Sequence, residues 1–320
     1  MLKLNQIQSI RLQENPIGQK IYAQFLRFNY SFPPKTKVHV HGIENIPNDR
    51  RCILAMNHTD KFNYWPFQLK LYQMRNQFTC TWVKGKYFRN TLVRRFLLNM
   101  NIIPVAPKGI LIARSFKKLM KRLPSNEEYR NIKMVMDSPN RDLSGLSSQL
   151  QKYFGETPEK VIDEIESEFA GISQEVVRLN RDALSLGHHI LIFPQGTRSV
   201  RLSKGHIGLA QMSQCLGADI IPIGCSGSNI CYPDGIPWAR KGSITYKIGK
   251  PLILDGEKLG AYRVKDPFIP FSADAVRNYR PQFRAITDIV MDEINQLVTP
   301  PYQYSTDKTS DGVKGMNRFV

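Results

Sequence analysis

The stretch HHILIFPQGTRS, residues 188–199, decides the reading of the fold. Its first half is an apolar strand. Its second half is a turn on Pro194 and Gly196, followed by Thr197, Arg198 and Ser199. A glycine there lets the backbone come close to a ligand. A guanidinium beside it suits a phosphate or a developing oxyanion. A strand that runs into such a loop is a building unit of α/β sheets, whose binding loops sit at the carboxyl ends of strands.

The same unit recurs outward from this stretch. KVHVHGIENIP (37–47) alternates at Val38 and Val40 and stops at Gly42, which predicts a strand. RCILAMNH (51–58) reads as a short buried strand leading into a turn at His58, with helical spacing over 59–76. FTCTWVKG (78–85), IIPVAP (102–107), ADIIPIGCS (218–226) and GSITYKIGKPLIL (242–254) are further strands. TLVRRFLLNMN (91–101), GLAQMSQCL (208–216) and FRAITDIVMDEINQLV (283–298) are helices. Strands alternating with helices predict an α/β fold with a mixed, largely parallel central sheet flanked by helices. His58, Pro107 and Gln195–Gly196 each follow a predicted strand, so loops far apart in sequence can converge on one crevice.

A chain of 320 residues, 42% of them apolar, can bury a large core. The expected organisation is an N-terminal helical segment over 1–36, an α/β domain over 37–300 and a flexible tail over 301–320. The charged stretch 112–186 is a helical insertion within the domain. In the N-terminal segment Ile7, Ile10, Leu12, Ile21, Phe25 and Phe28 recur at helical spacing, interrupted by Pro16. Such a helix either packs on the core or lies at a membrane interface with Lys20 and Arg27 near headgroups. The run RSFKKLMKR (114–122) carries the same pair of readings, a solvated face or a membrane-surface helix. No secretory signal and no spanning helix are expected. The five cysteines show no paired spacing, which reads as reduced thiols in a cytoplasmic protein. His39 and His41 share a strand face but no third ligand accompanies them, so no metal is expected.

The net charge of +18 calls for phosphates: nucleic acid, anionic lipid headgroups or a phosphorylated substrate. No basic motif interleaved with aromatics supports nucleic acid. Charge alone does not choose among them, and an anionic membrane surface and a phosphate-bearing ligand both stay open as expected partners.

His58 is a plausible general base at the end of an apolar strand. Its orienting group is either Asp60 or Asn63. Taken together, NIP…ILAMNH, IIPV, ILIFPQGTRS with Lys204-Gly205 and Leu209-Ala210, IIPIG and YKIGKPL resemble the glycerolipid acyltransferase superfamily. The resemblance runs over about 38–110 and 187–251. It implies transfer of an acyl group from acyl-CoA or acyl carrier protein to a hydroxyl of a glycerol phosphate or lysophospholipid. No metal or tightly bound cofactor is implied. In that family's NHxxxxD motif the histidine takes the proton from the acceptor hydroxyl, whose oxygen attacks the thioester. This is triad logic with the substrate hydroxyl as nucleophile. Matched by position, His58 is the base and Asn63 stands where the family has aspartate. Gln195, Gly196, Thr197 and Arg198 form the acceptor-binding block, with Lys84 and Lys108 on the same basic wall. Pro222 matches the proline of the fourth motif.

Three departures stand out: Asn63 for aspartate, Gln195 for glutamate, and Pro107 or Lys108 where an arginine is usual. An amide at 63 can hydrogen-bond the imidazole but cannot balance an imidazolium. In a serine protease the same exchange costs roughly 10⁴-fold, through the wrong tautomer. Asp60 offers a substitute carboxylate if residues 60–63 begin a helix, where positions three apart share a face. Alternatively Asp60 caps that helix. The second functional reading is a weakened family member that binds lipid or acyl ligands without turning them over.

Overall fold

Four consecutive apolar residues, Ile53–Met56, form the central strand β2, and all four are buried. A strand buried on both faces has neighbours on both edges, and β2 has them. The computed structural model describes residues 3–32, 35–138, 140–233 and 235–310. The remaining strands are β1 (Thr36–His41), β3 (Thr79–Lys84), β4 (Ile103–Val105), β5 (His189–Ile192), β6 (Ile220–Ser226) and β7 (Gly242–Ile248). They form one sheet in the order β1-β7-β6-β2-β5-β3-β4. Each adjacent pair runs parallel except β6 and β7. The fold is the mixed, largely parallel α/β sheet that the sequence predicts.

Strands β6, β2, β5, β3 and β4 all point the same way, so their carboxyl ends open on one edge of the sheet. That edge carries Asn57-His58, Phe193–Ser199 and the Lys84 turn. β4 lies three strands from β2. At about 4.8 Å per strand it stands some 14 Å to the side.

Helices α1 (Leu4–Gln8), α2 (Ile17–Ser31), α3 (Trp65–Arg75) and α4 (Thr91–Asn99) belong to the first half. Helices α5 (Lys108–Met120), α6 (Asn126–Asp137), α7 (Ser148–Phe154) and α8 (Pro158–Ser185) fill the connection from β4 to β5. Helices α9 (Gly208–Leu216), α10 (Ser228–Cys231) and α11 (Ala273–Leu297) complete the chain. The helical excursion therefore begins at 108 rather than 112. Within it α8 runs unbroken through Gly171. The basic run on α5 and just beyond its end buries Phe116 completely and pairs Arg114 with Glu168 and Arg122 with Glu128. Among the described residues no helix is long and apolar enough to cross a membrane.

Residues 301–310, read from the sequence as the start of a loose tail, are held in place. Tyr302 is buried, accepts from the Leu202 amide at 3.0 Å through its carbonyl and donates its hydroxyl to Asn229 at 2.8 Å. An aromatic ring that finds both an apolar slot and a hydroxyl partner outweighs the polarity of its neighbours. The rest of the expected tail, 311–320, lies outside the described residues.

Candidate active site

The end of β2 is joined to β6 by a side chain. Asn57 Nδ2 donates to the Cys225 carbonyl at 2.9 Å, and the Cys225 amide donates to Asn57 Oδ1 at 2.7 Å. This carboxamide mimics one more peptide of the parallel ladder, and it fixes the chain where His58 follows. The backbone of His58 is then tied to the 193–199 loop on both sides. Its amide donates to Gln195 Oε1 at 3.0 Å, and its carbonyl accepts from the Ser199 amide at 2.8 Å. The imidazole stacks on Phe193, with ring centroids 4.1 Å apart and planes at 18°. Its Nδ1 lies 3.1 Å from Asn63 Oδ1. Its Nε2 makes no hydrogen bond among the described residues.

The surroundings of the His58 imidazole favour its neutral form. Burial drives its pKa down to about 3, against the Asn63 bond, and the positive charges of Arg198 and Lys84 push in the same direction as burial.

Asp60 does not meet His58. Its Oδ1 accepts from the Phe62 amide at 2.8 Å and its Oδ2 from the Thr59 hydroxyl at 2.9 Å. Residues 60–63 form no helix, because α3 starts at Trp65. The expectation that Asp60 shares a helix face with the histidine partner, or caps that helix, fails for this reason. The carboxylate closes a local turn instead, and burial raises its pKa.

The FPQGTRS loop is shaped by two residues. Gly196 has φ +66°, and a Cβ there would come within 2.7 Å of the His206 ring. Glycine is therefore required both for the backbone angle and for the close approach. Gln195, which the sequence reading sets against the acceptor, is buried. Besides holding the His58 amide, its Nε2 donates to the Arg201 carbonyl and to Ser203 Oγ, both at 3.3 Å. Its amide is spent on joining the two loops. Thr197 is exposed and Arg198 half-buried.

Beside this loop stands a group of cations. Lys84, at the end of β3, has its pKa lowered by burial first and then by Lys86 and Arg198. Lys86, in the turn after β3, is lowered by burial and then by Arg198, Arg89 and Lys61. Lys61 follows Asp60, so the rim runs from the His58 loop to the start of α4. The sequence reading found Lys84 and Arg198 in it but not Lys61, Lys86 or Arg89. The run KGKYFR (84–89) carries that signal. Lys108 stands apart. It follows the edge strand β4 and pairs with Glu166 of the helical excursion. Pro222 lies buried within β6, opposite Ala55 of β2, where it supports the sheet rather than the crevice. Among the described residues no group of three or more His, Cys, Asp or Glu side chains could hold a metal ion.

Residues 37–136 match the family model described as Acyltransferase. The matched segment includes His58, Asn63 and Lys84 and ends before the FPQGTRS loop. No curated protein matches the chain. Among solved structures, the crystal structure of the 1-acyl-sn-glycerophosphate (LPA) acyltransferase PlsC from Thermotoga maritima aligns at 15% identity with a TM-score of 0.42. That alignment covers 86% of this chain and 79% of the other.

Proposed function

We propose, from the premise that the chain belongs to the glycerolipid acyltransferase superfamily, that it moves an acyl group from a thioester, acyl-CoA or acyl carrier protein, to a hydroxyl of a phosphate-bearing glycerolipid acceptor. The observation that carries this reading is a half-buried His58 held at Nδ1 by Asn63, beside a rim of cations. In the reaction the acceptor hydroxyl gives its proton to His58 Nε2 as its oxygen attacks the thioester carbonyl. The tetrahedral intermediate collapses, the C–S bond breaks, and the imidazolium returns the proton to the leaving thiolate. Lys84, Lys86 and Arg198 hold the acceptor phosphate.

The acceptor is drawn from an anionic membrane surface. Ile17, Ile21 and Phe28 fall on one stripe of α2, Phe32 follows its last residue, and all four are exposed, Ile21 at 67%. Trp238 packs against Phe28 and Phe25, and Phe96 of α4 against Tyr22, so the apolar patch extends beyond one helix. Patches of this kind on a soluble face mark contact surfaces. Lys20 and Arg27 flank the stripe, as basic residues do beside an interfacial helix.

Acyl transfer from an acyl-CoA to a panel of lysophospholipids tests the assignment. The wild type turns over, and His58→Ala loses about 10²–10⁴-fold in kcat/KM. Equal turnover by the two proteins would remove His58 from the chemistry. Among the described residues no carboxylate bonds to His58, which favours one other reading, binding without turnover. Tight lysophospholipid binding by a wild type that transfers no acyl group would establish that reading instead.

A further inference from the structure

The geometry points to Asn63 as the positioning residue that sets the tautomer of His58: a clamped carboxamide performs the orienting task of a carboxylate, and the pocket accepts only the amide. This deepens the acyl-transfer reading and rests on it for the role of His58 as base.

Asn63 is fully buried, and three groups hold it. Tyr246 of β7 donates its hydroxyl to the Asn63 carbonyl at 2.5 Å. Asn63 Nδ2 donates to the Asn57 carbonyl at 2.7 Å, with Met56 Sδ at 3.8 Å on the same side. Asn63 Oδ1 faces His58 Nδ1. The orientation of this amide follows from chemistry. A carbonyl oxygen and a thioether sulfur only accept, so the NH₂ end must face them. The reversed amide would press two oxygens together at 2.7 Å in a buried site. The Asn57 backbone cannot retreat, because its side chain is bonded twice to Cys225 on β6.

With the amide so fixed, Oδ1 meets the imidazole as a pure acceptor. Nδ1 must then carry the ring proton, and the lone pair of the neutral ring sits on Nε2. That is the tautomer a base acting through Nε2 requires. The penalty that asparagine brings to a serine protease triad arises when the amide presents its NH₂ group to the ring. Here the NH₂ group is engaged elsewhere. A carboxylate at position 63 would place its second oxygen against the Asn57 carbonyl, acceptor against acceptor, with no solvent to relieve it.

The experiment is ¹⁵N NMR of histidine-labelled protein at neutral pH, with His58 assigned through His58→Gln, combined with acyl-transfer kinetics. His189 is an internal reference. The Cys52 amide donates to His189 Nδ1 at 3.2 Å, which demands the opposite tautomer. The wild type is expected to show His58 protonated at Nδ1 and His189 at Nε2. In Asn63→Leu the His58 signals move to a mixture of tautomers, and kcat/KM falls about 10²-fold or more. Asn63→Asp lowers kcat/KM at least about tenfold. A wild-type His58 protonated at Nε2, or a tenfold gain in Asn63→Asp, overturns the inference. The wild-type spectrum decides the tautomer even where a variant does not fold. If His58 is protonated at Nδ1 yet His58→Ala transfers acyl groups as well as the wild type, the acyl-transfer reading fails and the amide lock stands. If transfer depends on His58 while the ring is protonated at Nε2, the lock fails and the reading stands.

Discussion

The His58 loop and the cationic rim beside it are built on opposite terms. In the loop, residues 57–63, polar groups meet polar groups in pairs: Asn57 with Cys225, Asn63 with Asn57 and His58, Asp60 with Thr59 and Phe62. No cation or anion balances His58 from within it. In the rim, like charges face one another, and Lys84 and Lys86 are held below the usual lysine value by burial and by their cationic neighbours. The difference separates two tasks. On the proposed acyl-transfer reading, the loop would fix the base and the rim would supply the field for an anion. It also shows where the charge missing from position 63 can come from. Arg198 and Lys84 both depress His58, so an acceptor phosphate bound to them removes that push as it binds. On that reading the substrate would contribute the negative charge that a carboxylate supplies in a triad.

The sharpest way to break this division is to remove the rim charges. Arg198→Ala combined with Lys84→Ala is expected to lower kcat/KM for a phosphate-bearing acceptor about 100-fold, the scale of losing charge-assisted hydrogen bonds. A monoacylglycerol lacking the phosphate should lose far less. In the same variant the acid limb of the pH profile measured with the uncharged acceptor should move upward, because two charges that disfavour the imidazolium are gone. Equal losses for both acceptors would mean that the rim only holds the loop in shape.

A second comparison sets the rim against the apolar patch on α2 and α4. Both would face the acceptor's source, but one acts through charge and the other through area. Phe28→Ser with Trp238→Ser should weaken partition onto anionic vesicles by about tenfold or more, given roughly 1.5–3 kcal/mol per buried aromatic side chain. Activity on a short-chain, water-soluble acceptor should stay within about twofold. Sedimentation with vesicles of phosphatidylglycerol and phosphatidylcholine reads the first quantity. An unchanged partition coefficient would move the docking face elsewhere.

The sheet and its loops were legible in the sequence because each strand announces itself locally, as Ile53–Met56 and His189–Ile192 do. His58 and the Gly196 turn were legible for the same reason. The partner of His58 was legible only as one of two residues, Asp60 or Asn63. Its identity depends on where α3 begins, and the helical spacing over 59–76 hid the loop that precedes Trp65. Pro66, in the first turn of α3, was the available sign, since proline favours the start of a helix. Gln195 and Lys108 were misplaced by non-local facts. The His58 amide reaches across 137 residues for Gln195 Oε1, and β4 ends at the sheet edge rather than beside β2. Strand order and cross-loop hydrogen bonds leave no periodicity for a sequence pattern to carry.

The smallest effect separates two neutral histidines by what surrounds them. His58 and His189 both have pKa values driven down to about 3, in each case by burial first. In the unfolded chain each returns to about 6.5. Between those values the unfolded state binds more protons, so stability falls as the pH drops through that window and is independent of these two groups above it. His189 is fully buried on β5, with Nδ1 accepting from Cys52 and Nε2 facing Gln77 at 3.3 Å. His58 keeps part of its surface open, where water can relax around a charge. His189 should therefore carry the larger share. Urea midpoints measured from pH 7 to pH 4 should decline for the wild type. The decline should be shallower in His189→Gln, and less altered in His58→Gln. A His58→Gln slope flatter than that of His189→Gln would place the costlier buried histidine in the active site rather than under the sheet.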